Sequence, residues 1–149
     1  MMTDTRQPTA TVGGHPLHML LVPIPIGCFV ATLVTDIIYA LTANMLWETM
    51  SVWLLTAGLI FAGLAVVAGL IDFVFSRRIR ALKPAWPHLV GNAIAVVLSL
   101  VNAFVHSRDG YTSVVPTGLT LSAIVVLILA FTGWMGWKMV HRDGVGAAA

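Results

Sequence analysis

Residues 51–71 read SVWLLTAGLIFAGLAVVAGLI, a stretch of 21 residues without a single charged side chain. A helix needs about 20 apolar residues to cross the hydrocarbon core of a bilayer. A membrane-spanning β-strand needs only about ten residues and alternates apolar with polar positions, which this stretch does not do. The segment therefore predicts a transmembrane α-helix.

Three further apolar stretches surround this segment, which gives predicted spans at 17–41, 50–75, 86–106 and 117–140. The 149 residues are 58% hydrophobic and only 9% charged. A soluble domain carries about 25% charged residues, so this chain is predicted to be an integral membrane protein in contact with lipid. No internal repeat stands out in the sequence.

Short loops between the spans favour an all-α, up-down-up-down four-helix bundle. We predict one transmembrane domain over 15–142, preceded by a disordered cytoplasmic tail at 1–14 and followed by a flexible tail at 143–149. The first span is too long for the core of a signal peptide and is interpreted as retained.

The distribution of basic residues predicts the orientation. The loop at 76–84 carries four of the eight Lys and Arg residues, and Arg6, Lys138 and Arg142 fall on the same side. Only Arg108 falls on the other side. Because basic loops stay in the cytoplasm, both termini are predicted to be cytoplasmic. A net charge of +2 spread over loops argues against nucleic acid as a partner.

Two spans carry a polar or small stripe on one helical face. In span three the stripe is His88, Asn92, Ala95, Ser99, Asn102 and His106. In span two it is Gly58, Ala62, Ala65, Gly69 and Asp72. Small residues allow helices to pack closely in lipid, and they would also leave room for a planar cofactor. The stripes alone do not separate these two interpretations.

Alternating spans bring several chemically active side chains to the cytoplasmic end of the predicted bundle. Polar groups at such depth are costly and usually have a partner or a function. The residues that the topology gathers there are His15, His18, Asp72, Arg77, Arg78, Arg80, His88 and Asn92.

Haem b is the cofactor that this set favours, because iron accepts neutral imidazole from helices of a bundle. His88 would be one axial ligand, with His18 or His15 opposite.

The remaining residues would hold the rest of the cofactor. Arg77, Arg78 or Arg80 would pair with the propionates, since guanidinium matches a carboxylate. Asp72 or Asn92 would orient a ligand imidazole. No Cys-x-x-Cys-His motif is present, so the haem would be held without a covalent bond.

Two other chemistries stay open. His15, His18, His88 and Asp72 form a possible divalent-metal set, although Pro16 disfavours a helix running through His15. Alternatively, the chain is a cofactor-free structural or proton- or ion-transfer subunit that uses Asp36, Asp72 and the polar face of span three.

Two histidines at helix ends, His106 and His141, are expected to be solvated at the membrane interface. Asp36 is expected either to cap a helix or to hydrogen-bond within the bundle. The single cysteine, Cys28, is interpreted as a packing residue.

The segment Gly14-His15-Pro16-Leu17-His18-Met19-Leu20-Leu21-Val22-Pro23-Ile24-Pro25-Ile26-Gly27 resembles a bacterial family of four-helix predicted membrane proteins of unknown function. The likeness continues through Asp36, Gly69-Leu70-Ile71-Asp72 and His88-x-x-x-Asn92, and so covers nearly all four spans. It departs at Met19, where the family commonly has proline, and this leaves the choice between His15 and His18 open.

The resemblance implies a four-helix bundle with histidine-rich ends in the bacterial inner membrane, suited to haem b and to dimer formation. Together with the residues themselves, it leads to the prediction of a haem b protein for electron transfer or redox sensing, rather than a stand-alone enzyme. A homo-oligomer such as a dimer and an unidentified redox partner are expected.

Overall fold

The computed structural model describes residues 11–13, 15–108 and 114–145. Within them, four helical segments are long and apolar enough to cross a membrane, so the predicted all-α membrane bundle is confirmed. The elements are β1 (Thr11–Val12), β2 (His15–Pro16), α1 (Leu17–Leu21), α2 (Pro23–Thr42), α3 (Met45–Phe75), α4 (Arg77–Arg80), α5 (Ala85–His106) and α6 (Leu119–His141).

The first span consists of α1 and α2, which meet at Val22. Pro23 and Pro25 have no N–H group, so two hydrogen bonds of a regular helix are missing at this point. The backbone N–H of Val22 still donates to the carbonyl of His18, at 3.0 Å. The prolines therefore interrupt the helix without turning the chain away, and His18 lies in the short segment before the interruption.

The second span begins at Met45, five residues before the predicted start. Asn44 precedes it, and its side-chain oxygen accepts a hydrogen bond from the N–H of Leu46 at 3.0 Å. This is an N-cap, which satisfies a backbone donor at the helix start. The cap places Glu48, which precedes the predicted span, inside α3 rather than in a loop.

The last span begins irregularly. A wide helical turn at Val114–Gly118 precedes α6, and Val115 within it has an extended backbone, with φ −108° and ψ 126°.

The four long helices pack around a common axis. Asp36 contacts Ser51, and His18 contacts Ala65 further along α3, so α2 and α3 run antiparallel. In the same way, α5 and α6 run antiparallel. Further contacts join α2 to α6 and α3 to α5, which places α2 and α5 diagonally across the bundle.

The apolar core lies at mid-height between the helices. Its buried members are Phe29, Leu55, Ala62, Ala95, Val125 and Leu129. Close packing depends on small residues here: a Cβ added to Gly58 would lie 2.7 Å from Cε1 of Phe29. The stripes of small residues therefore serve helix packing over this part of the bundle.

The predicted tails lie largely outside the described residues. At the N-terminal end, Thr11–Val12 pairs antiparallel with His15–Pro16. At the C-terminal end, the N–H of Val145 donates to the carbonyl of Met139 at 3.0 Å, so the chain folds back against the end of α6.

Candidate functional site

His18 is held by the neighbouring helix α3. Its Nδ1 lies 2.8 Å from the carbonyl oxygen of Ala65. One turn further along α3, a Cβ added to Gly69 would lie only 2.8 Å from that same Nδ1. The imidazole therefore rests on a glycine of the adjacent helix, and a larger residue there would displace it.

His88 is held by α6 in the same manner. Its Nδ1 lies 2.8 Å from the carbonyl oxygen of Thr132, and a Cβ added to Gly136 would lie 3.2 Å from its Cε1. In both cases the glycine follows the carbonyl residue by four positions, which is one helical turn. The two halves of the chain thus build the same histidine support twice.

The two supported imidazoles lie next to each other in an edge-to-face arrangement. Their ring centroids are 6.3 Å apart and their planes are inclined at 83°. Both side chains are half-buried. The predicted convergence of His18 and His88 is therefore present, and we call this part of the molecule the histidine end.

The other predicted metal ligands, His15 and Asp72, do not join the two imidazoles in a metal site. His15 is exposed on β2. Over residues 11–13, 15–108 and 114–145, no three His, Cys, Asp or Glu side chains are grouped closely enough to hold a metal ion, so neither His15 nor Asp72 completes a three-ligand site with His18 and His88.

Asn92 does not bond to a histidine ring. Its Nδ2 donates to the backbone carbonyl of His88 at 2.7 Å, and its Oδ1 accepts from Thr132 Oγ1 at 3.4 Å. Asp72 is buried. The Nδ1 atoms of His18 and His88 are instead held by the backbone carbonyls of Ala65 and Thr132. The sequence did not predict these two carbonyls as orienting partners.

The arginines lie at or beside α4. Arg77 and Arg78 are exposed. The guanidinium of Arg80 is used within the fold: Nη1 donates to the carbonyl of Phe73 at 2.9 Å and also to that of Val74. Arg80 thus satisfies carbonyls at the end of α3, a position that favours a cation.

A cavity of about 40 Å³ lies between the helices near this end of the bundle. A buried water needs only 10–15 Å³ or more by the same kind of measure, so the cavity has room for water but not for a macrocycle. Its lining is apolar apart from one amide and consists of Val22, Pro25, Ile26, Phe29, Ala62, Ala65, Val66, Asn92, Ala95, Val96 and Leu129.

The opposite end of the bundle contains a second polar constellation, around the fully buried Asp36. Its Oδ1 accepts from Ser51 Oγ at 2.6 Å and lies 2.9 Å from His106 Nε2, while its Oδ2 accepts from Ser122 Oγ at 2.6 Å. The hydrogen-bonding role expected for Asp36 is confirmed. Four helices each contribute one of these residues, and we call this part the carboxylate end.

His106 is 0% exposed, so the expectation that it is solvated at the interface was wrong. The reason lies across the bundle: Asp36, on the diagonally placed helix, provides a carboxylate partner for Nε2 of the buried imidazole. His141 is exposed, with Nδ1 3.1 Å from the carbonyl of Trp137.

Glu48 was overlooked in the sequence, yet it is 0% exposed. Within the described part of the chain, neither of its carboxylate oxygens has a hydrogen-bond partner, and Asn102 Oδ1 also lacks one. A signal for Glu48 existed, because it continues the small-residue face of span two backwards through Ser51 and Leu55 to Gly58. An acid on that face is directed into the bundle.

The fold and these two polar constellations define a four-helix integral membrane protein with polar groups at both ends of its bundle. Residues 14–149 match the family described as predicted membrane protein (DUF2231), and the chain belongs to this family. No curated protein and no solved structure matches the chain.

Proposed function

We propose that this protein binds haem b between His18 and His88 and serves in electron transfer or redox sensing. The observation that carries the proposal is the pair of neighbouring imidazoles, with ring centroids 6.3 Å apart, each fixed through Nδ1 to a backbone carbonyl of another helix. Haem would supply one-electron redox chemistry, and the protein would supply the ligands and their orientation.

The hydrogen bonds favour the tautomer that binds metal. A carbonyl oxygen can only accept, so each Nδ1 must carry the hydrogen. In a neutral imidazole the lone pair is then on Nε2, the atom left to coordinate iron. Ligating histidines commonly donate their other N–H to a carbonyl in this way, which fixes the ring. Ala65 and Thr132 would have this orienting role.

The rings of His18 and His88 lie close enough for both residues to hold one group, with centroids 6.3 Å apart. Two protein ligands suffice for iron in a porphyrin, whereas a structural zinc site needs four. The absence of a third protein ligand among the described residues therefore favours haem over a bare divalent ion.

Haem binding would require the helices around the pair to separate, because the cavity of about 40 Å³ is too small for a porphyrin. Gly69 and Gly136 keep each imidazole against its supporting helix while that happens. Arg77 and Arg78 are exposed near the histidine end and are proposed to bind the propionates, while the guanidinium of Arg80 bonds to a carbonyl of α3. Asp72 and Asn92 would form part of the wall.

The histidine end is proposed to face the cytoplasm of a bacterial cell, with the chain in the inner membrane and both termini cytoplasmic. This orientation rests on the four basic residues at 76–84. We further propose a homodimer and an as yet unidentified redox partner. Gly27, Gly63 and Gly133 are exposed with no atom within 4 Å of an added Cβ, and they would allow a second copy to approach closely.

Absorption spectra of the purified full chain test the haem proposal. Oxidised protein should show a Soret band that sharpens and shifts on reduction with dithionite, with resolved α and β bands. His18→Ala and His88→Ala should each lose most of the bound haem, while His15→Ala and His141→Ala serve as controls and should retain it. A colourless preparation from haem-replete cells, or an unchanged spectrum in His88→Ala, would contradict the proposal.

A further inference from the structure

We propose that Glu48, with the Asp36–His106 pair beside it, forms a proton-binding site at the carboxylate end. This site is separate from the histidine end and does not depend on haem. His88 and His106 are 18 residues apart on one helix, which corresponds to about 27 Å at 1.5 Å per residue.

The hydrogen bonds of the pair define how many protons it holds. His106 Nδ1 lies 3.0 Å from the carbonyl of Asn102, so it carries a hydrogen. Ser51 and Ser122 both donate to Asp36, and His106 Nε2 approaches the same carboxylate. Three donors around Asp36 describe an ionised carboxylate beside an imidazolium. The pair is therefore neutral overall, and its donors and acceptors are used.

Glu48 is the group whose proton is not accounted for by this network. Its carboxylate is 0% exposed, and neither oxygen receives a hydrogen bond from the described residues. Burying an ionised carboxylate without donors is costly, which favours a bound proton. Two features favour its release: the partial positive charge at the start of α3 and the imidazolium of His106. These opposing influences suit a group that exchanges a proton.

Few charges surround this group. Within residues 11–13, 15–108 and 114–145, the ionisable side chains that face it are Asp36 from α2 and His106 from α5. The adjoining half of α6 contributes a hydroxyl, that of Ser122, and has no charged residue before Lys138. The charge of the whole cluster thus changes by one when Glu48 gains or loses a proton.

The ligand is a proton rather than a metal cation. Both ring nitrogens of His106 are engaged in hydrogen bonds, so the imidazole has no lone pair to offer a metal. A cation would also be repelled by the imidazolium. The described residues contain no group of three His, Cys, Asp or Glu side chains that could hold a metal ion.

Exchange takes place with the membrane face at the carboxylate end. Towards the middle of the bundle, Phe29, Leu55 and Val125 close the space next to Ser99, and the gap there does not admit a water molecule. Among the described residues, this gap therefore gives a proton on Glu48 no water path to the histidine end. The site is local and differs from a relay through the whole bundle.

Infrared difference spectroscopy of the full chain in lipid vesicles, titrated with acid and base, tests the site. The wild-type protein should show the C=O stretch of a protonated, buried carboxylic acid, and this band should decrease as the pH rises. Glu48→Gln should abolish the band. Asp72→Asn, which removes a buried carboxylate at the histidine end, is the matched control and should retain it.

Three results would overturn the proposal. They are the absence of this band in the wild-type protein, a band that does not respond to pH, and a band that persists in Glu48→Gln. If Glu48→Gln does not fold, Glu48→Asp keeps the carboxyl group and should move the band to a new frequency. Replacing choline with Na⁺ at constant ionic strength should leave the band unchanged, and its loss would identify a cation site instead.

Discussion

At the scale of single residues, both ends of the bundle depend on a histidine held from another helix. His18 and His88 are fixed by carbonyls, and their rings lie on glycines. His106 is fixed by the carboxylate of Asp36, at 2.9 Å. Three of the five histidines therefore have long-range partners, and each partner is a group whose role does not show in the local sequence.

Removing the imidazole of His106 should strongly destabilise the protein. In His106→Ala, Asp36 keeps its two serine donors but becomes a buried charge without a counter-ion, a change that typically costs about 3–5 kcal/mol. The free energy of unfolding, measured by denaturing-detergent titration in mixed micelles, should fall by that order. His141→Ala, at an exposed position, should change it by no more than about 0.5 kcal/mol. Equal effects of the two variants would contradict the buried pair.

A methyl group at Gly69 should disturb the histidine end. In Gly69→Ala the new Cβ would lie 2.8 Å from His18 Nδ1, so the ring must move away from the carbonyl of Ala65. We expect reduced haem content and an altered Soret band in the purified protein. Gly63→Ala is the control, because no atom lies within 4 Å of a Cβ at that exposed position of the same helix. Normal haem content in Gly69→Ala would argue against His18 as a ligand.

At the scale of elements, the helix boundaries determine which residues enter the bundle. The N-cap by Asn44 starts α3 early enough for Glu48 and Ser51 to occupy its first turns. The proline interruption after α1 lets His18 lie against α3 while α2 continues through the membrane. The cap therefore determines that Glu48 enters the carboxylate end, and the prolines determine how His18 enters the histidine end.

Loss of the cap should weaken the first turn of α3. Asn44→Ala removes the acceptor of the Leu46 N–H, and such losses cost about 1 kcal/mol. The unfolding free energy should decrease by that amount, and amide hydrogen exchange should become faster in the turn that contains Glu48. Asn44→Ser restores an acceptor and should recover most of the loss. A stability of Asn44→Ala equal to wild type would show that the cap contributes nothing.

At the scale of the whole molecule, both halves of the chain contribute to each end of the bundle. His18 and His88 are 70 positions apart, and so are Asp36 and His106. Each half supplies one imidazole of the histidine end, while Asp36 and His106 become partners at the carboxylate end.

Orientation in the membrane is tested by single introduced cysteines. Lys83→Cys lies in the basic loop after α4, and Ser107→Cys follows α5 at the opposite end. In spheroplasts, a membrane-impermeant maleimide should label Ser107→Cys directly and Lys83→Cys only after lysis. The unsubstituted protein, with its half-buried Cys28, gives the background. The reverse labelling pattern would place the histidine end outside the cytoplasm.

Dimer formation is tested at an outward-facing glycine. Gly133→Leu adds a large side chain where no atom of the same chain lies within 4 Å of an added Cβ, so it should disrupt close approach of a second copy without disturbing the fold. Cross-linking in membranes should then yield less dimer than wild type, and Ile124→Leu, also exposed on α6, serves as the volume-conserving control. An unchanged yield would exclude this face as the contact.

The sequence by itself determined the class of protein, the number of spans and much of the histidine end. Long apolar runs leave a chain no alternative to membrane helices, because backbone groups in lipid must bond internally. The convergence of His18 with His88 followed from alternating spans. Only the tertiary structure decided that carbonyls hold these rings, that Arg80 bonds to α3, and that Asp36, His106 and Glu48 meet inside the opposite end. The physical reason is that a buried polar group is defined by its partners across helices, and neither hydropathy nor local spacing records which helix faces which.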